Sequence, residues 1–290
     1  MHLRGGDETL KHREGTFKNS QNASIYYQYW LPEGESKAVL LIVHGLAEHS
    51  GRYMNVVNYF VPLGFAVYGV DHVGHGKSGG TRVYVKRFED FTNTLKIYFD
   101  MVRNWQPKKP IFLVGHSLGG LISVAYLLDH QVELKGAVLS GPVVKVPDTI
   151  SPTTVFVGKV LSALMPKRGL IGLEAEGVSR DPAVVQAYVS DPLVWHGKIT
   201  ARLSAELLGT MRRVTAETTK IKLPILILQG SADKLVDPKG AQRLYDTVSS
   251  ADKTIKIYDG LYHEVYNEPE HDQVLGDVKT WLEAHLGPRT

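Results

Sequence analysis

Six short runs along the chain are almost wholly apolar: AVLLIV (38–43), FAVYGV (65–70), IFLVG (111–115), GAVLS (136–140), PILILQG (224–230) and TIKIYD (254–259). They are rich in valine, isoleucine and leucine, and most lack polar alternation. A strand covered on both faces has that pattern, so the runs predict a mostly parallel sheet. Between them the apolar period becomes helical. Tyr53, Val56, Val57 and Phe60 fall at i, i+3, i+4 and i+7. Phe88, Phe91, Leu95, Tyr98 and Val102 form a second stripe, and Val274, Val278, Trp281 and Leu282 a third. Strands alternating with helices imply an α/β sheet with helices on both faces. SIYYQYWLP (24–32) alternates more strongly and precedes a turn. It predicts part of an antiparallel edge.

The rhythm breaks between residues 141 and 219, where no clear strand occurs. SPTTVFVGKVLSALMP (151–166) reads as a short amphipathic helix stopped by Pro166. DPAVVQAYVSDPL (181–193) is punctuated by two Asp-Pro pairs, and ITARLSAELLGTMRRV (199–214) reads as another helix. The expected organisation is a core of residues 1–140 and 220–290 with a helical cap, 141–219, inserted over the sheet's C-terminal edge.

Composition narrows the class. A chain of 290 residues with 43% hydrophobic content can bury one large core with an inserted subdomain. The formal net charge is +3, and its lysines and arginines are scattered. No nucleic-acid arm and no nucleic-acid partner are expected. The absence of cysteine excludes a disulfide framework and thiolate metal sites. The N-terminus is polar and charged, and no run reaches the roughly 18 apolar residues of a membrane span. The expectation is a soluble, cytoplasmic protein.

One serine then changes the picture. Gly115-His116-Ser117-Leu118-Gly119 fits G-x-S-x-G between a predicted strand and a predicted helix. That setting suits a nucleophile elbow, in which glycines permit a sharp turn and lift the hydroxyl to a helix N-terminus. The bland alternative is a glycine-rich turn with an N-cap serine. A serine nucleophile needs a base and an orienting acid, which follow it in the order acid, then histidine. The loop after PILILQG offers Asp233 and Asp237, and His263 lies about thirty residues on. Asp233 is the favoured acid because it lies nearer the strand end. Asp237 precedes Pro238 and suits a helix cap. Asp259 is a second alternative, close to His263 in a turn with Gly260. An oxyanion hole would use the Leu118 N–H and an N–H from the loop after the first buried strand, Leu46. His44, in that loop, reads as a bracing residue.

Two other chemistries are weighed against this one. Gly76-Lys77-Ser78 resembles the tail of a phosphate loop, but the required first glycine is Asp71, whose carboxylate would repel phosphate. His44, His49, His72 and His75 lie near one another in the sequence's early loops, without the spacing of a metal motif. A third alternative is a non-catalytic binding protein, which would be expected to lack a triad member.

With these residues assembled, the chain resembles the monoacylglycerol lipases of the α/β-hydrolase superfamily, from about residue 15 to 286. The blocks HGLAEHSGRY, DHVGHGKSGG, GHSLGG, SDPL, LQGSADKLVDPKGA and KIYDGLYHEVYNE carry the resemblance in order. Lysophospholipases and plant-type acyl esterases share many of them. The resemblance implies an α/β-hydrolase fold with a capped acyl tunnel. It implies Ser117 as nucleophile, Asp233 as acid, His263 as base, and an oxyanion hole from Leu46 and Leu118. Glu48 and Arg52 would brace the site, and Tyr188 would lie near the alcohol end of the substrate. Ala47 departs from the family's usual glycine; an alanine suits that position if its φ is below zero. The expected reaction is hydrolysis of carboxylic esters through an acyl-enzyme. Monoacylglycerols are the first-choice substrate, with lysophospholipids or general carboxylic esters as alternatives. No cofactor or metal is required. The apolar helix at 155–165 suggests transient contact with a membrane surface.

Overall fold

The computed structural model describes residues 11–147, 151–172 and 174–287. Its strands are β1 (Lys11–Lys18), β2 (Ser24–Leu31), β3 (Ala38–Val43), β4 (Phe65–Val70), β5 (Ile111–His116), β6 (Gly136–Ser140), β7 (Gly169–Ile171), β8 (Ile199–Thr200), β9 (Ile225–Gly230) and β10 (Lys253–Tyr258). The helices are α1 (Met54–Phe60), α2 (Glu89–Trp105), α3 (Leu118–His130), α4 (Pro152–Leu164), α5 (Pro182–Ser190), α6 (Ala201–Glu217), α7 (Lys239–Thr247) and α8 (His271–Ala284). Among the described residues, eight strands form one sheet in the order β1-β2-β4-β3-β5-β6-β9-β10. From β4 to β10 neighbouring strands pair in parallel, while β2 pairs antiparallel with both β1 and β4.

The continuous apolar runs follow from two-sided burial. In β3, Val39, Leu41 and Val43 pack into one core layer, while Ala38, Leu40 and Ile42 pack into the other. The first layer also holds Phe91, Leu95 and Tyr98 of α2 and Leu121 and Val124 of α3. The second holds Val56, Val57 and Phe60 of α1 and Val274, Val278 and Leu282 of α8. Each fully buried leucine or phenylalanine contributes roughly 1.5–3 kcal/mol, so a polar residue on either side of β3 would be costly.

Residues 24–31 are part of the sheet's antiparallel edge, second to the outermost β1. Two expectations need correction. β1 itself, KHREGTFK, is largely exposed and has no apolar pattern to announce it. The run at 254–259 is a half-exposed edge strand rather than a buried one. The stretch from 141 to 219 is helical apart from the short β7–β8 pair. Its longest helix, α6, sends Leu203, Leu207, Met211 and Val214 into the first core layer. Val178, Tyr188 and Val194 make a small cluster of their own beside it.

Candidate active site

Four loops leave the C-terminal ends of parallel strands and meet above the sheet, the usual place for ligands in such folds. Leu46 follows β3, Ser117 follows β5, Asp233 follows β9 and His263 follows β10. Ser117 adopts φ 54 and ψ −117, a conformation that L-residues rarely take. The backbone holds it there: Ser117 N donates to Ser140 O at 2.9 Å, and Ser117 O accepts from Val143 N at 3.2 Å. Glycine at 119 is forced by close approach, since a Cβ there would sit 1.8 Å from Val43 O. Gly119 thus lets α3 press against β3, and Gly115, where a Cβ would sit 2.4 Å from Ser123 Oγ, lets α3 press against β5.

His263 donates from Nδ1 to Asp233 Oδ2 at 2.7 Å, which leaves Nε2 for the cavity it shares with Ser117. Asp233 is itself anchored. Its Oδ1 accepts from Leu235 N and Val236 N, both at 2.9 Å, and its Oδ2 from Gln229 Nε2 at 2.9 Å. Burial opposes the ionised form of both side chains, but their mutual attraction prevails. Asp233 is held below the usual carboxylate range and His263 above the usual histidine value. Asp237 instead accepts from Lys239 N at 3.0 Å and pairs with Lys145, as a helix-capping residue would. Asp259 accepts from Ser231 Oγ. The rejected acids therefore have other partners.

Leu46 and Leu118 line the same cavity, and neither N–H has a partner among the described residues. The loop that carries Leu46 is braced by charge. Glu48 Oε1 accepts from Gly45 N at 2.6 Å and from Tyr53 OH at 2.8 Å. Arg52 donates to Glu48 at 2.9 Å and, through both terminal nitrogens, to Glu264 at 2.6 and 2.8 Å. Its guanidinium also lies 4.7 Å from the ring centre of Tyr188. One arginine therefore links the loop after β3, the loop after β10 and helix α5. Burial raises the Glu48 pKa, and the Arg52 charge does not fully reverse it; at Glu264 the same cation outweighs burial and lowers the pKa. Glu264 carries no sequence signal, since its partner is 212 residues away.

Ala47 has φ 66, so the condition of negative φ is not met. The left-handed backbone costs an alanine about 1–2 kcal/mol, and its O accepts from Trp195 N, just beyond α5, at 2.7 Å. Glycine would remove that strain but lose the buried methyl, worth about 0.8 kcal/mol, and add unfolded-state entropy. These terms nearly cancel. Ala47→Gly is expected to shift stability by less than about 1 kcal/mol, whereas Ala47→Val, β-branched at positive φ, should lower it by more. Thermal melts of the two variants check this, and a valine variant as stable as the parent would refute the conformation.

The histidines of the early loops have structural partners. His44 Nε2 accepts from His72 N at 2.9 Å, and its ring lies 4.0 Å from that of His72. Burial lowers the pKa of His72 to about 3 and of His75 to about 4. His49 reaches Asp191 of the SDPL block at 2.8 Å, tying the loop after β3 to the end of α5. Asp71 accepts from Lys77 N at 2.8 Å and from Ser50 N at 2.9 Å, so its carboxylate closes the turn where a phosphate would have to sit.

A profile of the family described as serine aminopeptidase, S33, matches residues 34–270. A monoacylglycerol lipase from Mycolicibacterium smegmatis is 40% identical over 273 residues, covering 94% of this chain and 98% of that one. The chain belongs to the monoacylglycerol lipase-like serine hydrolases of the α/β-hydrolase superfamily. A monoglyceride lipase from Rattus norvegicus is 36% identical over 271 residues, 92% of this hydrolase and 89% of the relative. The crystal structure of a Paleococcus ferrophilus monoacylglycerol lipase matches with a TM-score of 0.78 at 32% identity, covering 95% of this hydrolase and all of that chain. The hydrolase is a carboxylic ester hydrolase. Among the described residues, no helix is long and apolar enough to cross a membrane.

Proposed function

We propose that this hydrolase cleaves monoacylglycerols to fatty acid and glycerol through an acyl-enzyme on Ser117. One observation carries the reading. A cavity of about 150 Å³ is lined by Ser117, His263, Leu46 and Leu118 together with Val143, Val178, Leu207, Leu235 and Val236. A nucleophile, a base and oxyanion donors thus share a space with mainly apolar walls. His263 Nε2 takes the Ser117 proton as Oγ attacks the ester carbonyl. The Leu46 and Leu118 N–H groups stabilise the oxyanion, and His263 returns the proton to the leaving alcohol. It then deprotonates the water that releases the fatty acid. Asp233 fixes the His263 tautomer and stabilises its cation. Tyr188 lines the alcohol side, and Glu48 and Arg52 hold the oxyanion loop.

Residues 141–219 act as the cap in this reading. Between α4 and α6 lies a second space of about 430 Å³, with Val155, Leu161, Leu170, Ala201 and Leu208 in its walls. The acyl chain, bonded to Ser117 in the intermediate, is proposed to lie instead against Val143, Leu207 and Leu235 of the catalytic cavity. Helix α4 leaves Phe156 68% and Leu164 77% exposed, more apolar surface than folding requires. We assign that face to contact with lipid surfaces. Each methylene buried in the catalytic cavity contributes roughly 0.8 kcal/mol. A panel of mono-, di- and triacylglycerols, lysophospholipids and acetate esters should show kcat/KM at least about tenfold higher for monoacylglycerols of eight or more carbons than for acetates. A preference for acetates would replace this reading with a general carboxylesterase.

A further inference from the structure

The lining of the catalytic cavity has an unbalanced charge that ester hydrolysis does not require. Among the described residues it contains three carboxylates, Glu48, Glu174 and Glu264, and no lysine or arginine. Arg52 stands behind the lining and is shared by Glu48 and Glu264, so one cation meets two acids there. Asp233 adds a further carboxylate behind His263. The histidines do little to offset these. His116 is neutral, since burial drives its pKa to about 3, and His263 must be neutral to accept the serine proton. Glu174 differs from the other acids. It is exposed, lies between β7 and α5, and its carboxylate has no ion-pair or hydrogen-bond partner among the described residues, its only bond being from Gly177 N to its main-chain O at 3.2 Å. An exposed residue that also lines the cavity stands at its mouth. The negative sign belongs to this site, since the chain as a whole carries +3.

We propose that Glu174, with no lysine or arginine among the described residues of the lining to offset it, makes the enzyme select esters of neutral alcohols and reject esters whose alcohol bears a negative charge, such as glycerol phosphate. The proposal rests on the acylglycerol reading above, and it separates monoacylglycerols from anionic lysophospholipids. The acyl chain has no charge, so the discrimination falls on the alcohol portion. Like charges a few ångströms apart in a partly desolvated cleft repel several times more strongly than in water. Selection by repulsion needs no added contact to the favoured substrate. Glycerol hydroxyls suit the same carboxylate, which only accepts hydrogen bonds. The ionised fatty acid released at Ser117 is driven outward by the same field, while neutral glycerol is not.

The test compares kcat/KM for three eight-carbon esters kept below their micellar concentrations: the monoacylglycerol, its glycerol-phosphate counterpart and the acylcholine. The phosphate ester should fall at least about tenfold below the monoacylglycerol at low salt, and about 0.5 M NaCl should narrow that gap. Glu174→Gln should raise the phosphate-to-neutral ratio by about fivefold, and Glu174→Lys by more. Equal cleavage of the phosphate ester and the monoacylglycerol by the parent enzyme overturns the proposal. So does a ratio that neither variant nor salt moves. If monoacylglycerol is not cleaved at all, the acylglycerol reading fails on its own. The choline-to-phosphate ratio then decides the charge proposal, which is upheld above about tenfold and refuted below it.

Discussion

Ser117→Ala is expected to lower kcat for ester hydrolysis by roughly 10³–10⁶-fold while the protein melts close to the parent temperature. The size follows from what the change removes. Without Oγ there is no acyl-enzyme, and His263 can only assist direct attack by water, with the Leu46 and Leu118 N–H groups still in place. The residual rate measures that oxyanion hole and substrate binding. The fold should tolerate the change because alanine meets the same positive φ as serine, and the turn is held by main-chain bonds to Ser140 and Val143. Burst kinetics with a chromogenic ester, and a melt of the same preparation, give both readouts. Turnover within tenfold of the parent would remove Ser117 from the mechanism.

The largest stability effect should come from Arg52→Ala. Arg52 is the one cation between Glu48 and Glu264, both deeply buried. Removing it leaves two carboxylates facing each other in low dielectric, a change that typically costs about 3–5 kcal/mol. A protein of this size should then melt about 10 °C lower. Activity should fall as well, because Glu48 holds the Gly45 N–H beside the proposed oxyanion donor Leu46. Arg52→Lys keeps the charge but not the paired N–H fork, so its effect should be intermediate. Glu264→Gln leaves one carboxylate for one guanidinium and should be milder than Arg52→Ala. A melt for Arg52→Ala within about 2 °C of the parent would show that the network adds little.

Much of the architecture was legible along the chain because its signal is local. A strand buried on both faces must be apolar at consecutive positions, and β3, β4, β5, β6 and β9 all show it. The helix stripes of α1, α2 and α8 repeat every three or four residues because one face meets the sheet. Ser117 was legible for a related reason: the elbow needs glycines at fixed offsets, and their absence of side chains shows directly in the letters. Strand β1 was not legible, because its pairing with β2 uses main-chain groups and leaves KHREGTFK exposed.

The sequence by itself determined the α/β class, the proposed order of nucleophile, acid and base, and the change of character at residue 141. These depend on residue type and short spacing. Only the tertiary structure decided which acid meets His263, because Asp233, Asp237 and Asp259 differ in where their loops point rather than in their chemistry. It alone joined Glu264 to Arg52 across 212 residues and revealed the positive φ at Ala47. It also set Glu174 in the same cavity lining as Ser117, with no lysine or arginine there among the described residues. Contacts between distant segments are fixed by how the packed layers bring loops together, and no window of neighbouring residues records that.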